Sequence, residues 1–336
     1  IINKGFDVLI EKPMTLNQED AKAIVDLSNK KNVNVMVGHL LLFHPAIIKI
    51  KELINSRKIG TLQYIYSNRL NLGKIRKSSI YENIQAWSMS RDILSGRLSE
   101  PELDLLSYAV KSGETVIDIG ANFGMYTYPL AQLVGKEGKV YAFEPIPFTY
   151  QTLEKVVKRL SIDSVVLRKE AVGEKKGEIS FTIPIATSGQ LMAGQAHFGA
   201  RNDDHSGKET QVRWNKTTTI TCPTISLDEE LQGIKNLSFI KIDIEGGEFF
   251  AFEGGKKTIN HFLPTILIEI NPWFLDGFDL QLADLLDPFE KLEYEIFKYE
   301  KNPKKLYQIN HKSQIVEDNY LLIHPKFKER FIDLFA

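Results

Sequence analysis

Apolar positions along the chain change their spacing repeatedly, and each change marks an element. Residues 6–70 read as a strand (FDVLIE), a helix over 17–31, a strand (VNVMVG), a helix over 45–56 and a strand (LQYIYSNRL). The first helix rests on Ala21, Ile24, Val25 and Leu27 recurring at helical spacing, with Asn17 as its N-cap. A polar, basic run at 71–79, NLGKIRKSS, marks a junction, and helical stretches follow near 80–94 and 100–110. A second series begins at Glu114: strand TVIDIG, a helix from about Gly124, strand KVYAFE, a helix over 149–160, strand SVVLRKEAV and strand EISFTI. After a polar stretch at 184–216 it resumes with strands TTTITC and LSFIKID, a helix over 248–260, strand PTILIEI, a helix near 280–289, and a closing pair, KKLYQIN and NYLLIHP. Strands that alternate with helices predict a mostly parallel sheet covered on both faces. The closing pair is too tightly connected to be parallel, so one reversed edge strand is expected. The expected division is a partial α/β segment at 1–76, a helical connector at 77–110 and a complete domain at 111–336.

Composition narrows the function classes. Lys plus Arg, 42, nearly balance Asp plus Glu, 43, so no broad positive field is available for nucleic acid or an anionic membrane surface. With 43% hydrophobic residues in 336, the chain can bury a full core. The single cysteine, Cys222, excludes an internal disulfide framework, and no Cys/His spacing suggests a structural zinc site. A reducing, cytoplasmic setting is expected, with neither a signal peptide nor an apolar run of spanning length.

The segment VIDIGANFGMYT, residues 116–127, carries the first candidate chemistry. Asp118 closes a buried strand, Gly120 and Gly124 sit in a tight strand-to-helix turn, and the helix then starts with free backbone N–H groups that face the turn and attract a carboxylate. Glu144, at the end of the next strand, stands where an acid bonds ribose hydroxyls. S-adenosylmethionine offers a carboxylate, an ammonium that suits Asp118, and a ribose diol. A dinucleotide site is the rival reading, since it also has a glycine turn and a later acid. Against it, the turn is Gly120-Ala121-Asn122-Phe123-Gly124 rather than GxGxxG, and Asn122 places a side chain where a pyrophosphate needs glycine. A glycine turn without a ligand is the third reading.

A second segment, FIKIDIEGGEFFAFEGG, spans residues 239–255. Together with VIDIGANFGMYT, YAFEP, EAVGEKKGEISF, ISLDEEL and LIEIN, it resembles the FkbM family of S-adenosylmethionine-dependent methyltransferases over about residues 100–325. The resemblance implies a Rossmann-like class I methyltransferase fold with a seven-stranded sheet, S-adenosyl-L-methionine as methyl donor, and O-methylation of a polyketide, glycan or related small molecule. By position, Asp118, Gly120, Asn122, Gly124 and Glu144 resemble the donor-binding set. Glu170 and Ala171, after the third strand, stand where the adenine edge would be read.

Asp243 and Glu245 end the fourth strand of this series, and ligands of open α/β sheets bind outside the carboxyl ends of strands. Either is a candidate base for the acceptor hydroxyl. The alternatives are that Glu245 caps the following helix, that Asp243 only orients the donor, or that Asp243, Glu245 and Glu269 share a divalent cation, which nothing in their spacing demands. His197, with Asp203 and His205, lies in the long polar insertion. If that insertion covers the acceptor, His197 is a further base candidate; otherwise its histidines are incidental. His261, inside a helix, reads as structural. The expected partner is a small hydroxylated molecule, with no nucleic acid or membrane and no metal assigned.

Residues 5–38 resemble the glucose-fructose oxidoreductase and inositol dehydrogenase family (Gfo/Idh/MocA), with its EKP motif at Glu11, Lys12 and Pro13. The resemblance runs to about Arg76, without the glycine-rich strand turn or the second domain that hydride transfer requires. A remnant, the end of a larger fused enzyme, and a joining of two reading frames are the open explanations. Apolar strands such as VNVMVG call for cover by the methyltransferase or by a second copy in a homo-oligomer. Two other functions stay open: a nicotinamide-dependent sugar oxidoreductase, and a donor-binding protein without turnover.

Overall fold

The computed structural model describes residues 2–10, 14–15, 17–37, 48, 51–52, 54, 56, 79–185, 196–198 and 216–336. They fall into two units, Ile1–Arg69 and Leu70–Ala336. In the first, strands β1 (Val8–Ile10) and β2 (Val35–Val37) run parallel, with helix α1 (Gln18–Lys31) between them in the chain. Asn17 caps α1 as expected, its side chain accepting the Asp20 N–H at 2.8 Å. Ala21, Ile24 and Leu27 are half-buried, whereas Val25 lies off that face and is 48% exposed. The expected helix at 45–56 falls largely outside the described residues, as do the strand LQYIYSNRL, the run at 71–78 and Lys12.

The second unit opens with helix α2 (Ser79–Leu94), which is tied to the body by the Lys155–Glu82 ion pair. Its main sheet has eight strands rather than the expected seven. Five are parallel neighbours: β5 (Val165–Arg168), β4 (Lys139–Phe143), β3 (Thr115–Ile119), β10 (Phe239–Ile242) and β11 (Thr265–Ile270). Beyond β11 lie β14 (Asp318–Ile323), β12 (Glu295–Glu300) and β13 (Lys305–Gln308), each antiparallel to its neighbour. The closing pair therefore does not pair with itself. Both of its strands pair with β12, which the sequence reading missed; both run against the parallel set, β14 inside the sheet and β13 as the reversed edge strand that was expected. Strand β12 is rich in Glu, Lys and Tyr, but Ile296 and Phe297 enter cores on opposite faces, which fixes it in place.

A second, four-stranded sheet is ordered β6 (Ala171–Val172), β9 (Lys216–Ile225), β7 (Gly177–Ile185), β8 (His197–Phe198). The predicted strand SVVLRKEAV is thus two strands in two sheets, and the chain crosses between them at Lys169 and Glu170.

Alternation along each strand builds two cores. Ile117, Ile240, Ile266 and Leu322 belong to one, shared with Phe252 of helix α5 (Glu248–Gly254) and Phe289 of helix α7 (Leu282–Lys291). Val116, Phe239, Leu267 and Leu321 belong to the other, shared with Leu130 and Val134 of helix α3 (Thr127–Val134). Helix α4 (Pro147–Arg159) covers β4 and β5 through Leu153. The helix expected at 248–260 is broken at Gly255 into α5 and α6 (Lys256–Phe262). A side chain on Gly254 would strike the Gly173 carbonyl at 1.9 Å, so glycine there lets α5 approach the strand-end loop closely.

Candidate active site

The same alternation places a polar stripe at the carboxyl ends of the central strands. Asp118 follows Val116 by two residues, Lys241 follows Phe239, and Glu269 follows Leu267, so all three share the face turned toward α3. Lys241 lies in register with Asp118 on one side and with Leu267 on the other. Asp243 is the next residue of β10's chain on that face.

On the β3–β4 side, Asp118 is wholly buried. Its Oδ2 accepts from Thr127 Oγ1 at 2.6 Å, and its Oδ1 has no protein partner. Burial raises its pKa, against the pull of the Lys241 ammonium. Glu144, 5% exposed, accepts the N–H of Asn122 at Oε2 and that of Ile146 at Oε1, both at 2.9 Å. Burial pushes its carboxyl up to about 7. Asn122 has a φ of 48°, and its buried Oδ1 also lacks a partner. Two glycines make the turn possible. Gly120 has a φ of 82°, and a Cβ there would lie 1.9 Å from the Asp243 carbonyl oxygen; Gly124 has a φ of 94° and closes on Leu153. Four N–H groups of the turn are engaged within the fold. Those of Gly120 and Ala121 donate to the Phe143 carbonyl, that of Asn122 to Glu144, and that of Gly124 to the Ala121 carbonyl. Ala171 lines an apolar pocket beside the turn with Gly120, Phe143, Pro145 and Phe250, while the half-buried Glu170 is not among its lining residues.

On the β10–β11 side, charges meet one another. Lys241, 2% exposed, donates to Asp243 Oδ2 at 2.6 Å, and its Nζ stands 4.7 Å from the centre of the Tyr126 ring. Tyr126 in turn donates its hydroxyl to Glu100 at 2.7 Å. Asp243 and Glu269 share a hydrogen bond, and carboxylate oxygens of Asp243, Glu245 and Glu269 lie within 4.8 Å of one another. Burial and Asp243 together push Glu269 up to about 10. Glu245, with a φ of 51°, is raised to about 8 by burial and then by Asp243, Glu248 and Glu317. Glu248 holds the loop beneath it, accepting the N–H groups of Ile244 at 3.2 Å and Gly246 at 3.0 Å.

The structure thus brings Asp118, Gly120, Asn122, Gly124 and Glu144 together, and sets Asp243 and Glu245 beside them. The sequence reading missed Lys241, Tyr126, Thr127 and Glu248. A lysine inside the apolar run FIKID was the available signal, because a charge at a core-facing position is rare without a partner. The backbone of His197 pairs with Thr182 in the second sheet, but its side chain lies outside the described residues, as do Asp203 and His205. His261 is exposed on α6, its ring against Phe262.

The methyltransferase FkbM domain model matches residues 118–296, over half of the 336-residue chain. The chain belongs to the FkbM methyltransferase family. The match spans the strand ends that carry Asp118, Glu144, Asp243 and Glu269. Residues 1–39 match a different model, the oxidoreductase family with an NAD-binding Rossmann fold. Curated relatives resemble the chain over short spans. Oxidoreductase P35 of Formosa agariphila is 32% identical over 96 residues, 28% of this chain and 29% of that protein. An uncharacterized oxidoreductase of Streptococcus pneumoniae is 31% identical over 121 residues, 35% of this chain and 31% of that protein. The chain spans about a third of the length of these relatives. Among solved structures, the methyltransferase FkbM of Methylobacillus flagellatus is similar at 12% identity and a TM-score of 0.37, over 94% of this chain and 73% of that one. A putative methyltransferase of Streptococcus mutans in complex with SAH is similar at 12% identity and a TM-score of 0.36, over 67% of this chain and 97% of that one. Among the described residues no helix is long and apolar enough to cross a membrane.

Proposed function

We propose that the chain uses S-adenosyl-L-methionine to methylate a hydroxyl on a sugar, glycan or natural-product-like small molecule. The observation that carries the reading is Asp118 Oδ1, a fully buried acceptor with no protein partner at the end of β3 inside the family's match. A buried acceptor left unpaired costs about 1–3 kcal/mol, and an ammonium from a ligand would remove that cost. Glu144 fits the ribose hydroxyls, because each of its oxygens accepts one N–H and keeps a free lone pair. Asn122 Oδ1 offers one more acceptor, beside the apolar side chains of Phe143, Pro145 and Ala171.

When bound, the donor supplies a methyl on a sulfonium, which goes to the acceptor oxygen and leaves a neutral thioether and one proton. Glu245 takes that proton. Its carboxyl, raised to about 8, is matched to abstraction near neutral pH, whereas Asp243 is engaged by Lys241 and Glu269 and held below the usual carboxylate range. Asp243 supplies negative charge beside the sulfonium. The partner we assign is this small molecule; the near-zero net charge of -1 supports neither nucleic acid nor a membrane surface.

Calorimetric titration with S-adenosylhomocysteine, and in parallel with NADH and NADPH, tests the reading. Saturable binding of S-adenosylhomocysteine alone is expected. Binding of a nicotinamide cofactor alone would overturn it in favour of hydride transfer.

A further inference from the structure

The least expected residue in the main sheet is Lys241. It is 2% exposed, lies in the middle of β10 between β3 and β11, and occupies a core position that its neighbour across the sheet, Leu267, fills with a plain aliphatic side chain. Removing an ammonium from water costs several kcal/mol, and replacing a buried ion pair by apolar residues of similar size is often neutral or stabilising. Packing alone therefore gives no reason for a lysine here.

Its surroundings give one. Around it stand Asp118 from β3, Tyr126 just before α3, Glu100 and Glu102 from the segment before β3, and Asp243 just past the end of β10, which in turn meets Glu269 of β11. Among the described residues it is the cation at the centre of this group. Its hydrogen bond goes to Asp243 Oδ2, and the Tyr126 ring closes another side of the ammonium. Tyr126 is itself held by Glu100. The ammonium is thus anchored from the sheet's interior and aimed at the reaction side. Resting on the methyl-transfer reading above, we propose that Lys241 is a positioning residue: it fixes the Asp243 carboxylate and makes Asp243, rather than Glu269, the negatively charged member of that pair. Burial works against a charge on Asp243, but the Lys241 ammonium and the hydrogen bond from Glu269 hold it below the usual carboxylate range. Glu269, half-buried and facing Asp243, keeps its proton.

Carbon-13 NMR of side-chain carboxyls in the full chain tests this, with the two signals assigned by their loss in Asp243→Asn and Glu269→Gln. In the wild type Asp243 should titrate at lower pH than Glu269. In Lys241→Met its proton affinity should rise at least tenfold, and Lys241→Arg should restore most of the difference. An unmoved Asp243 midpoint in folded Lys241→Met would overturn the proposal. Should Lys241→Met not fold, the wild-type order still decides, since Glu269 titrating below Asp243 is equally fatal. S-adenosylhomocysteine binding by the wild type separates the failures: its absence sinks the methyl-transfer reading, and its presence with an unmoved Asp243 sinks the role of Lys241 alone.

Discussion

The two halves of the site handle buried polarity in opposite ways. At the ends of β3 and β4, Asp118 and Asn122 keep buried oxygens without protein partners, and Glu144 keeps lone pairs free. At the ends of β10 and β11, Lys241, Asp243 and Glu269 satisfy one another. The first half is built to be completed by something else. The second is already paired within the protein, and on the proposed reading its charges serve the reaction.

The largest expected effect falls on the second half. Glu245→Gln removes the proposed base, so turnover should fall by about 10²- to 10⁴-fold. In the wild type the rate should rise with pH through about 8, because the group acts only after losing its proton and burial has raised its pKa to that value. A pH–rate profile of both proteins checks this, and an unchanged acid limb in the variant would move the base elsewhere. Next comes the seam between the halves. Gly120→Ala puts a methyl against the Asp243 carbonyl in a backbone region with φ of 82°, and should cost about 2–5 kcal/mol of stability, read by denaturant unfolding. Glu144→Ala acts on the first half alone. It should weaken S-adenosylhomocysteine by about 1.5–3 kcal/mol in calorimetry, and an unchanged affinity would refute the ribose assignment.

The smallest effect is a proton. Glu144 in the free protein is raised to about 7, and hydrogen bonds from ribose hydroxyls favour its ionised form. Binding near pH 7 should then release up to about half a proton, fading above pH 8 where the group is already ionised. Calorimetry in buffers of different ionisation heat measures it; proton uptake instead would contradict the assignment.

Much of this was legible in the chain. Short apolar runs ending in Asp118, Glu144 and Asp243 announced strands whose carboxyl ends gather polar groups, and Asn17 announced a cap. Periodicity is a local property, and burial of one face is enough to write it into the sequence. Strand β12 was missed because it is partly charged, and its order next to β14 depends on partners distant in the chain.

The sequence by itself determined the α/β alternation, the glycine turn and the acids at the strand ends, since each follows from neighbours a few residues apart. Only the tertiary structure decided that the N–H groups of Gly120, Ala121, Asn122 and Gly124 are spent internally, that Asp118 keeps an unpaired oxygen, and that Lys241 reaches Asp243 under the Tyr126 ring. The physical reason is range. A hydrogen bond or an ion pair acts over a few ångströms, so its partner is known only once the sheet has set β3, β10 and β11 side by side.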